Sequence, residues 1–486
     1  MMFRTLSHLR RILKRNPRKV LEYFEKQKKF YPKRVKGKCR DLKWVAMTVT
    51  LGIYYITPFL RWDRGSYAPD QAVLIDLANQ RAYWFGIEIW PQEVYILTGI
   101  LILGAIALFF ITSLFGRVWC GYFCPQTVWT DLFVWVERFV QGDRNARKKL
   151  QEGPWTFEKI YKIFITHSIW LVIAWCTAGS FVLYFNDAPT LVKSFFEFNV
   201  SPTVLCFIGG LTFSTYLMAG FAREQVCTYM CPYARFQSAM FDKDTLIIGY
   251  DEKRGEPRGK HKQGDSWENK GHCIDCTACV QVCPVGIDIR DGLQMECIAC
   301  GLCVDACNDI MEKINLPKGL IRYDTLNHMK SAKPDETNKF HFLRVRTIYY
   351  AVVLSIVGGV MLYSLINRSQ MELHVLHDRN PLFIQLSDGE IRNGYIFKIL
   401  NKTHEHKTYT ISVTGLDDAR IDVKAAGDSS YKNIYVPADS VGTYHVFISS
   451  KVEPSLPRDI KISLADNEKS ITDEYETVFI TRSENE

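Results

Sequence analysis

The sequence predicts a multidomain membrane protein with about five transmembrane α-helices, a small cysteine-rich α+β domain set before the last of them, and a C-terminal all-β sandwich. Three observations carry this. Apolar residues make up 47% of the 486 residues, unexceptional for a soluble chain, but they are bunched into long blocks between charged stretches. All fifteen cysteines fall between Cys39 and Cys307. The stretch from 367 onward contains none, and alternates apolar with polar residues between turn signals.

Five blocks are long and uncharged enough to span a bilayer: about 44 to 60, 93 to 115, 160 to 185, 202 to 222 and 347 to 366. Lys and Arg set their orientation, because basic segments stay on the cytoplasmic side. The first 43 residues hold sixteen bases against three acids, so they read as cytoplasmic. The loops 116–159 and 223–346 are also charged, whereas 61–92 and 186–201 are poor in bases, and inside and outside alternate consistently. Five crossings leave 367–486 outside, with fourteen bases and nineteen acids. The overall charge of +8 is therefore an orientation signal, and nucleic acid is not an expected partner. No cleavable signal peptide is evident, because the first apolar block follows some forty basic-rich residues.

The expected domains are a basic segment 1–43, a four-helix membrane region 44–250, a linker 251–271, a cysteine-rich domain 272–314, a second linker 315–346, the last span 347–366 and a sandwich 367–486. Within the membrane region, 66–90 alternates like a short hairpin, and Val128, Leu132, Val136 and Phe139 have the spacing of an amphipathic interfacial helix. In the tail PLFIQL, GYIFKIL, KTYTISV, NIYVP and YHVFIS read as strands of an immunoglobulin-like sandwich.

The most specific signal is GHCIDCTACVQVCPVGIDIRDGLQMECIACGLCVDACND. Cys273, Cys276, Cys279 and Cys283 have the spacing C-x2-C-x2-C-x3-C, and Cys297, Cys300, Cys303 and Cys307 repeat it. Such runs are similar to two-cluster bacterial ferredoxins, in which each tight triplet wraps one 4Fe-4S cluster and the fourth cysteine ligates the other. One cluster would take Cys273, Cys276, Cys279 and Cys307, and the other Cys297, Cys300, Cys303 and Cys283. Pro284 matches the ferredoxin pattern, while Asn308 departs from it. Structural zinc also uses C-x2-C, but without an interleaved second set.

A second motif occurs twice at the ends of apolar blocks: RVWCGYFCPQ with Cys120 and Cys124, and QVCTYMCPYA with Cys227 and Cys231. Four residues apart, each pair would share one face of a continuous helix, so that two spans present four thiols to a common point. Pro125 and Pro232 suit the first position of a new helix. Soft sulfur selects Cu(I), zinc or iron–sulfur centres over hard ions, and packed small residues are the plainer reading. Cys39, Cys176 and Cys206 read as incidental. His167, inside a span, reads equally as an interhelical hydrogen bond or a cofactor ligand. The pairs His374 with His377 and His404 with His406 read as solvated surface.

Together the VWCGYFCPQ and VCTYMCPYARFQ motifs, the double cysteine run and PKGLIRYDT after it resemble the FixG/CcoG family of cytochrome c oxidase accessory proteins. That resemblance implies a bacterial inner-membrane protein with its iron–sulfur domain in the cytoplasm and its tail in the periplasm. It also implies cupric reductase activity, Cu(II) to Cu(I), for assembly of cbb3-type oxidases, with transient copper and with copper chaperones, exporters and oxidase assembly factors as partners. The electron donor is unknown, and a homo-oligomer is compatible with the sequence. Two other readings share the architecture: a quinol-linked module feeding another enzyme, and an assembly scaffold acting through the tail.

Overall fold

The computed structural model describes residues 30–66, 68–261, 267–330, 342–424, 433–451, 457–466 and 472–481. Residues 1–29 of the basic segment, 262–266 of the first linker and 331–341 of the second lie outside the described residues. The chain divides into two compact units, one ending at Gly358 and the other comprising Gly359–Glu486 with Arg64–Pro69.

In the first unit the principal helices are α1 (Lys38–Ile56), α2 (Val94–Phe115), α3 (Val118–Tyr122), α4 (Pro125–Gln141), α5 (Phe157–Leu183), α6 (Pro202–Leu217), α7 (Pro232–Met240), α8 (Ala278–Val282) and α9 (Leu302–Lys313). Among the described residues, four segments are long and apolar enough to cross a membrane: Pro91–Phe115, Phe157–Leu183, Pro202–Ala222 and Val345–Ile366. The remaining expected span falls in α1, which opens with Lys38, Arg40, Asp41 and Lys43 and so is less apolar than the others. Its 19 residues still measure about 28 Å, close to a bilayer core of about 30 Å. It runs beside α5, with Tyr54 Oη donating to the Thr177 carbonyl at 2.8 Å and Tyr184 Oη to the Tyr54 carbonyl at 3.0 Å.

The expected interfacial helix is α4, and it is buried more deeply than its amphipathic pattern implies. Val128 and Val136 are buried, as expected, but so are Asp131 and Glu137, while Phe139 is 77% exposed. Distant cations account for this: Arg40 binds Asp131 at 2.8 Å, and Arg147 and Arg223 bind Glu137 at 2.9 and 2.5 Å. Buried carboxylates are tolerated only when paired in this way. The 66–90 segment forms three antiparallel strands rather than a hairpin: β1 (Val73–Asp76), β2 (Arg81–Trp84) and β3 (Ile87–Ile89).

Around the cysteine runs, β4 (Ile247–Tyr250) pairs antiparallel with β5 (Ile321–Asp324), and α8 and α9 lie between them in sequence. The α+β fold thus draws its strands from outside 272–314. The described part of the first linker is bound back to the runs, with Gly259 N–H donating to the Cys273 carbonyl at 3.0 Å and His272 N–H to the Arg254 carbonyl at 2.9 Å.

The second unit is a sandwich of two antiparallel sheets, ordered β10-β12-β8-β6 and β11-β9-β13-β14, with the short β7 (Ile384–Gln385) also paired to β8. Here β6 is Met371–His377, β8 Ile391–Asn401, β9 Lys407–Thr414, β10 Arg420–Lys424, β11 Asn433–Val436, β12 Ser440–Ser450, β13 Arg458–Asp466 and β14 Thr472–Phe479. Alternate residues of both sheets, Tyr395, Phe397, Ile399, Val446, Ile448, Ile462 and Leu464 among them, fill a fully buried core. This is the period-two burial that two stacked sheets require.

Candidate metal centre

The two cysteine runs fold into equivalent loops. Asp275 and Thr277 flank Cys276 with φ of +52° and +55°, and Ala299 and Gly301 flank Cys300 with φ of +52° and +73°. Left-handed residues on both sides of a middle cysteine curl the chain, at a cost for every residue but glycine. Backbone N–H groups then face the sulfurs: Val285, Gly286 and Ile287 toward Cys283, Ala299 toward Cys297, and Leu302 toward Cys300.

The thiols fall into two groups that cross between the runs. Cys283, Cys297, Cys300 and Cys303 line one cavity together with Cys279, walled by Ile248, Val285, Ile287, Ile289 and Ile298. Cys307 lies instead in the electrostatic field of Cys279, Cys276 and Cys273. Burial pushes the Cys283 thiol up to about 11, and those of Cys279, Cys297 and Cys307 up to about 12. In apolar surroundings of this kind a thiolate forms only when a cation replaces its proton, so four sulfurs around one apolar cavity suit a cluster.

The membrane-edge motifs repeat in backbone as well as in sequence. The apolar segments end at Gly116 (φ +60°, ψ −125°) and Arg223 (φ +41°, ψ −114°), each four residues before the first cysteine of its pair. One helical turn then carries Cys120 or Cys227, and Cys124 and Cys231 each cap a new helix, α4 or α7, whose first residue is the proline. The pairs therefore do not ride on continuous helices. The chain breaks before each pair at the left-handed residue and again at the proline, which cannot continue the preceding helix.

The two pairs nevertheless converge. The Cys120 thiol lies in the field of Cys124 and Cys227, and the Cys227 thiol in that of Cys124 and Cys231. Burial pushes Cys120 up to about 12 and Cys227 up to about 11, with Arg117 pulling both down. The Cys120 Sγ donates to Gln237 Oε1 at 3.2 Å. Cys227, Glu224, Gln126 and Thr130 line a cavity together with Pro284, Val285, Ile298 and Leu302 next to the second run.

The first pair is fastened to that run. A Cβ on Gly121 would lie 2.7 Å from the Ile298 carbonyl oxygen and 3.1 Å from Cys300 Cα, so only glycine fits. Tyr122 Oη donates to the Cys300 carbonyl at 3.1 Å and Tyr323 Oη to the Ala299 carbonyl at 2.7 Å. Arg117 donates to the carbonyls of Met295, Cys297 and Ala234. Cys120, Cys283 and Cys303 all pack on one buried cluster that contains Cys300.

Sequence reasoning missed Tyr122, Gly121, Tyr323, Gln237 and Asp305, although the first two stand inside CGYFCP. Asp305 caps α1, accepting from the N–H groups of Cys39 and Arg40 at 3.2 and 2.8 Å. Cys39 itself packs against Gly301, so it is a structural contact of the second run. His167 hydrogen-bonds Tyr216 Oη at 2.8 Å between α5 and α6, the interhelical alternative of the two expected. Cys176 and Cys206 are exposed. In the sandwich His377 is held by Asn393 at 2.9 Å and by the Asp378 carbonyl at 2.7 Å.

Comparison with known proteins agrees with this architecture. Residues 97–144 match a 4Fe-4S binding domain, 222–326 a 4Fe-4S dicluster domain, and 361–482 the Ig-like fold at the C-terminus of FixG. Nitrogen fixation protein FixG of Rhizobium meliloti is 46% identical over 456 residues, 88% of this chain and 87% of that protein. Protein RdxB of Cereibacter sphaeroides is 46% identical over 429 residues, 87% and 89% of the two chains. The crystal structure of a FixG-related protein from Vibrio parahaemolyticus is 26% identical and covers 24% of this chain and 99% of that one, with a TM-score of 0.21. Spans, cysteine runs and sandwich together place the chain in the FixG family, as a multi-pass membrane iron–sulfur electron-transfer protein.

Proposed function

We propose that this protein is a cupric reductase of a bacterial inner membrane, supplying Cu(I) for assembly of cbb3-type oxidase. The supporting observation is the contact between the first membrane-edge pair and the second cysteine run. Gly121 lies directly on the Ile298–Cys300 backbone, and Cys120 shares a buried cluster with Cys283, Cys300 and Cys303. Cys273, Cys276, Cys279 and Cys307 would hold one 4Fe-4S cluster, and Cys283, Cys297, Cys300 and Cys303 the other. When bound, such clusters supply one-electron transfer.

Cys120, Cys124, Cys227 and Cys231 then receive Cu(II) as substrate, one electron converting each ion to Cu(I). Their sulfurs favour the product, because thiolates are soft ligands. Arg117 holds the pair in register with the run and offsets negative charge as the thiols lose protons to copper. The cavity beside Cys227 offers a way in, with Glu224 on its wall. In this reading the iron–sulfur domain faces the cytoplasm and the sandwich the periplasm, since one span separates them. A cytoplasmic donor supplies the electrons, and copper chaperones, exporters and oxidase assembly factors receive the product.

The test is anaerobic. Protein carrying about eight irons, as two clusters require, is reduced, freed of reductant and mixed with Cu(II), and Cu(I) is followed with a chelator. Wild type should form about two Cu(I) per chain, one per cluster electron. C120S/C124S/C227S/C231S with full iron should form far less. Equal Cu(I) from both would refute the proposal, and about twelve irons in wild type would assign the four thiols to a third cluster.

A further inference from the structure

A second site lies where the chain before α1 meets α4. A cleft there is lined by Arg34, Lys36, Arg40 and Arg138, with Asp41 as its one acid. Arg34 and Lys36 are exposed. Arg40 is 5% exposed; its Nη1 is on Asp131, and its Nη2 has no acceptor among the described residues. Arg138 Nε likewise has none, and burial, opposed by Asp131, lowers its pKa to about 10. Four cations against one acid thus line the cleft, and two of its buried guanidinium nitrogens have no acceptor among the described residues, although Arg138 Nη2 donates to the Pro32 carbonyl at 3.3 Å.

The rest of the cleft is aromatic and leads onto apolar surface. The Arg40 guanidinium lies 4.4 Å above the Trp44 ring, Trp44 meets Trp135 edge-on at 6.3 Å, and Trp135 stacks on Phe139 at 5.9 Å. Trp135 and Phe139 are exposed, as are Leu42, Val45 and Val49 farther along α1. Cations and tryptophans at the head of an apolar helix face form the pattern that meets lipid headgroups at a membrane surface.

We propose that this cleft binds one anionic phospholipid, its phosphate against Arg34, Lys36 and Arg138 and its acyl chains along the apolar face of α1. The occupant is a lipid and not free phosphate, because the basic end opens onto apolar surface that a bare ion would leave uncovered.

Native mass spectrometry of the full-length, iron-loaded protein tests this, with equal phosphatidylglycerol and phosphatidylcholine in the detergent. One phosphatidylglycerol should be retained several-fold over phosphatidylcholine, and R34Q/K36Q/R138Q should abolish the preference with iron content unchanged. R34Q/K36Q alone, which alters only exposed side chains, should weaken it and guards against misfolding of the triple variant. Equal retention of both lipids, an unchanged preference in the variants, or displacement of the adduct by inorganic phosphate would each overturn the proposal.

Discussion

The two cysteine runs have the same spacing and the same pair of left-handed turns, yet their surroundings differ. In the first, Cys276 is exposed beside an Asp275–Arg290 ion pair of 2.6 Å. In the second no cysteine is exposed, and the loop is covered by Gly121, Tyr122, Tyr323 and Cys39. Local spacing therefore sets the loop, and long-range packing sets what the loop faces. One run looks toward solvent and the other is pressed against the membrane-edge thiols, which under the proposed function gives the electron path a direction.

The difference is best broken by loosening the frame that seats the second run. Arg223→Ala removes one of the two arginines paired with buried Glu137, and removing one partner of a buried pair costs about 3 to 5 kcal/mol. Thermal unfolding of the purified protein should show a fall in Tm larger than any single substitution in the cysteine loops produces. Next comes an exchange of equivalent positions. Gly301→Thr puts a side chain onto Cys39 in a left-handed residue, about 1 to 2 kcal/mol for the conformation alone with overpacking added. It should halve the iron content, whereas Thr277→Gly in the first run should keep it and gain up to about 1 kcal/mol.

Gly121→Val should cost about 1 to 3 kcal/mol as the Ile298 carbonyl is displaced. It should slow Cu(I) formation at least tenfold while the electron paramagnetic resonance signal of the first run is unchanged. Unaltered copper reduction would show that the contact is only structural. The smallest effect is expected for Tyr323→Phe, which removes one hydrogen bond to the Ala299 carbonyl, about 1 kcal/mol. Redox titration should then move the second-run potential alone.

Much of this was legible in the sequence because it is local. Period-two alternation marked β8, β9 and β12, apolar block length marked four spans, and C-x2-C spacing marked the loops. Proline after Cys124 and Cys231 marked the starts of α4 and α7. What was not legible depends on partners far along the chain. Nothing local marks Asp131 and Glu137 as buried, because Arg40 and Arg223, which pair with them, lie about ninety residues away. The strands β4 and β5, four residues each, pair across the whole cysteine domain and leave no periodicity to read. Continuous helices through the cysteine pairs failed for a subtler reason: Gly116 announces a break, but at the equivalent position Arg223 adopts the same left-handed conformation, held by its bond to the Gly220 carbonyl at 2.7 Å and by Glu137.

Freeze-quench electron paramagnetic resonance of the fully reduced, eight-iron protein after Cu(II) is added tests most directly whether electrons leave through the second run. Exit by that route predicts that the second-run signal disappears first, in step with Cu(I) formation, with the first-run signal following. Loss of the first-run signal ahead of the second, with Cu(I) forming meanwhile, would contradict it.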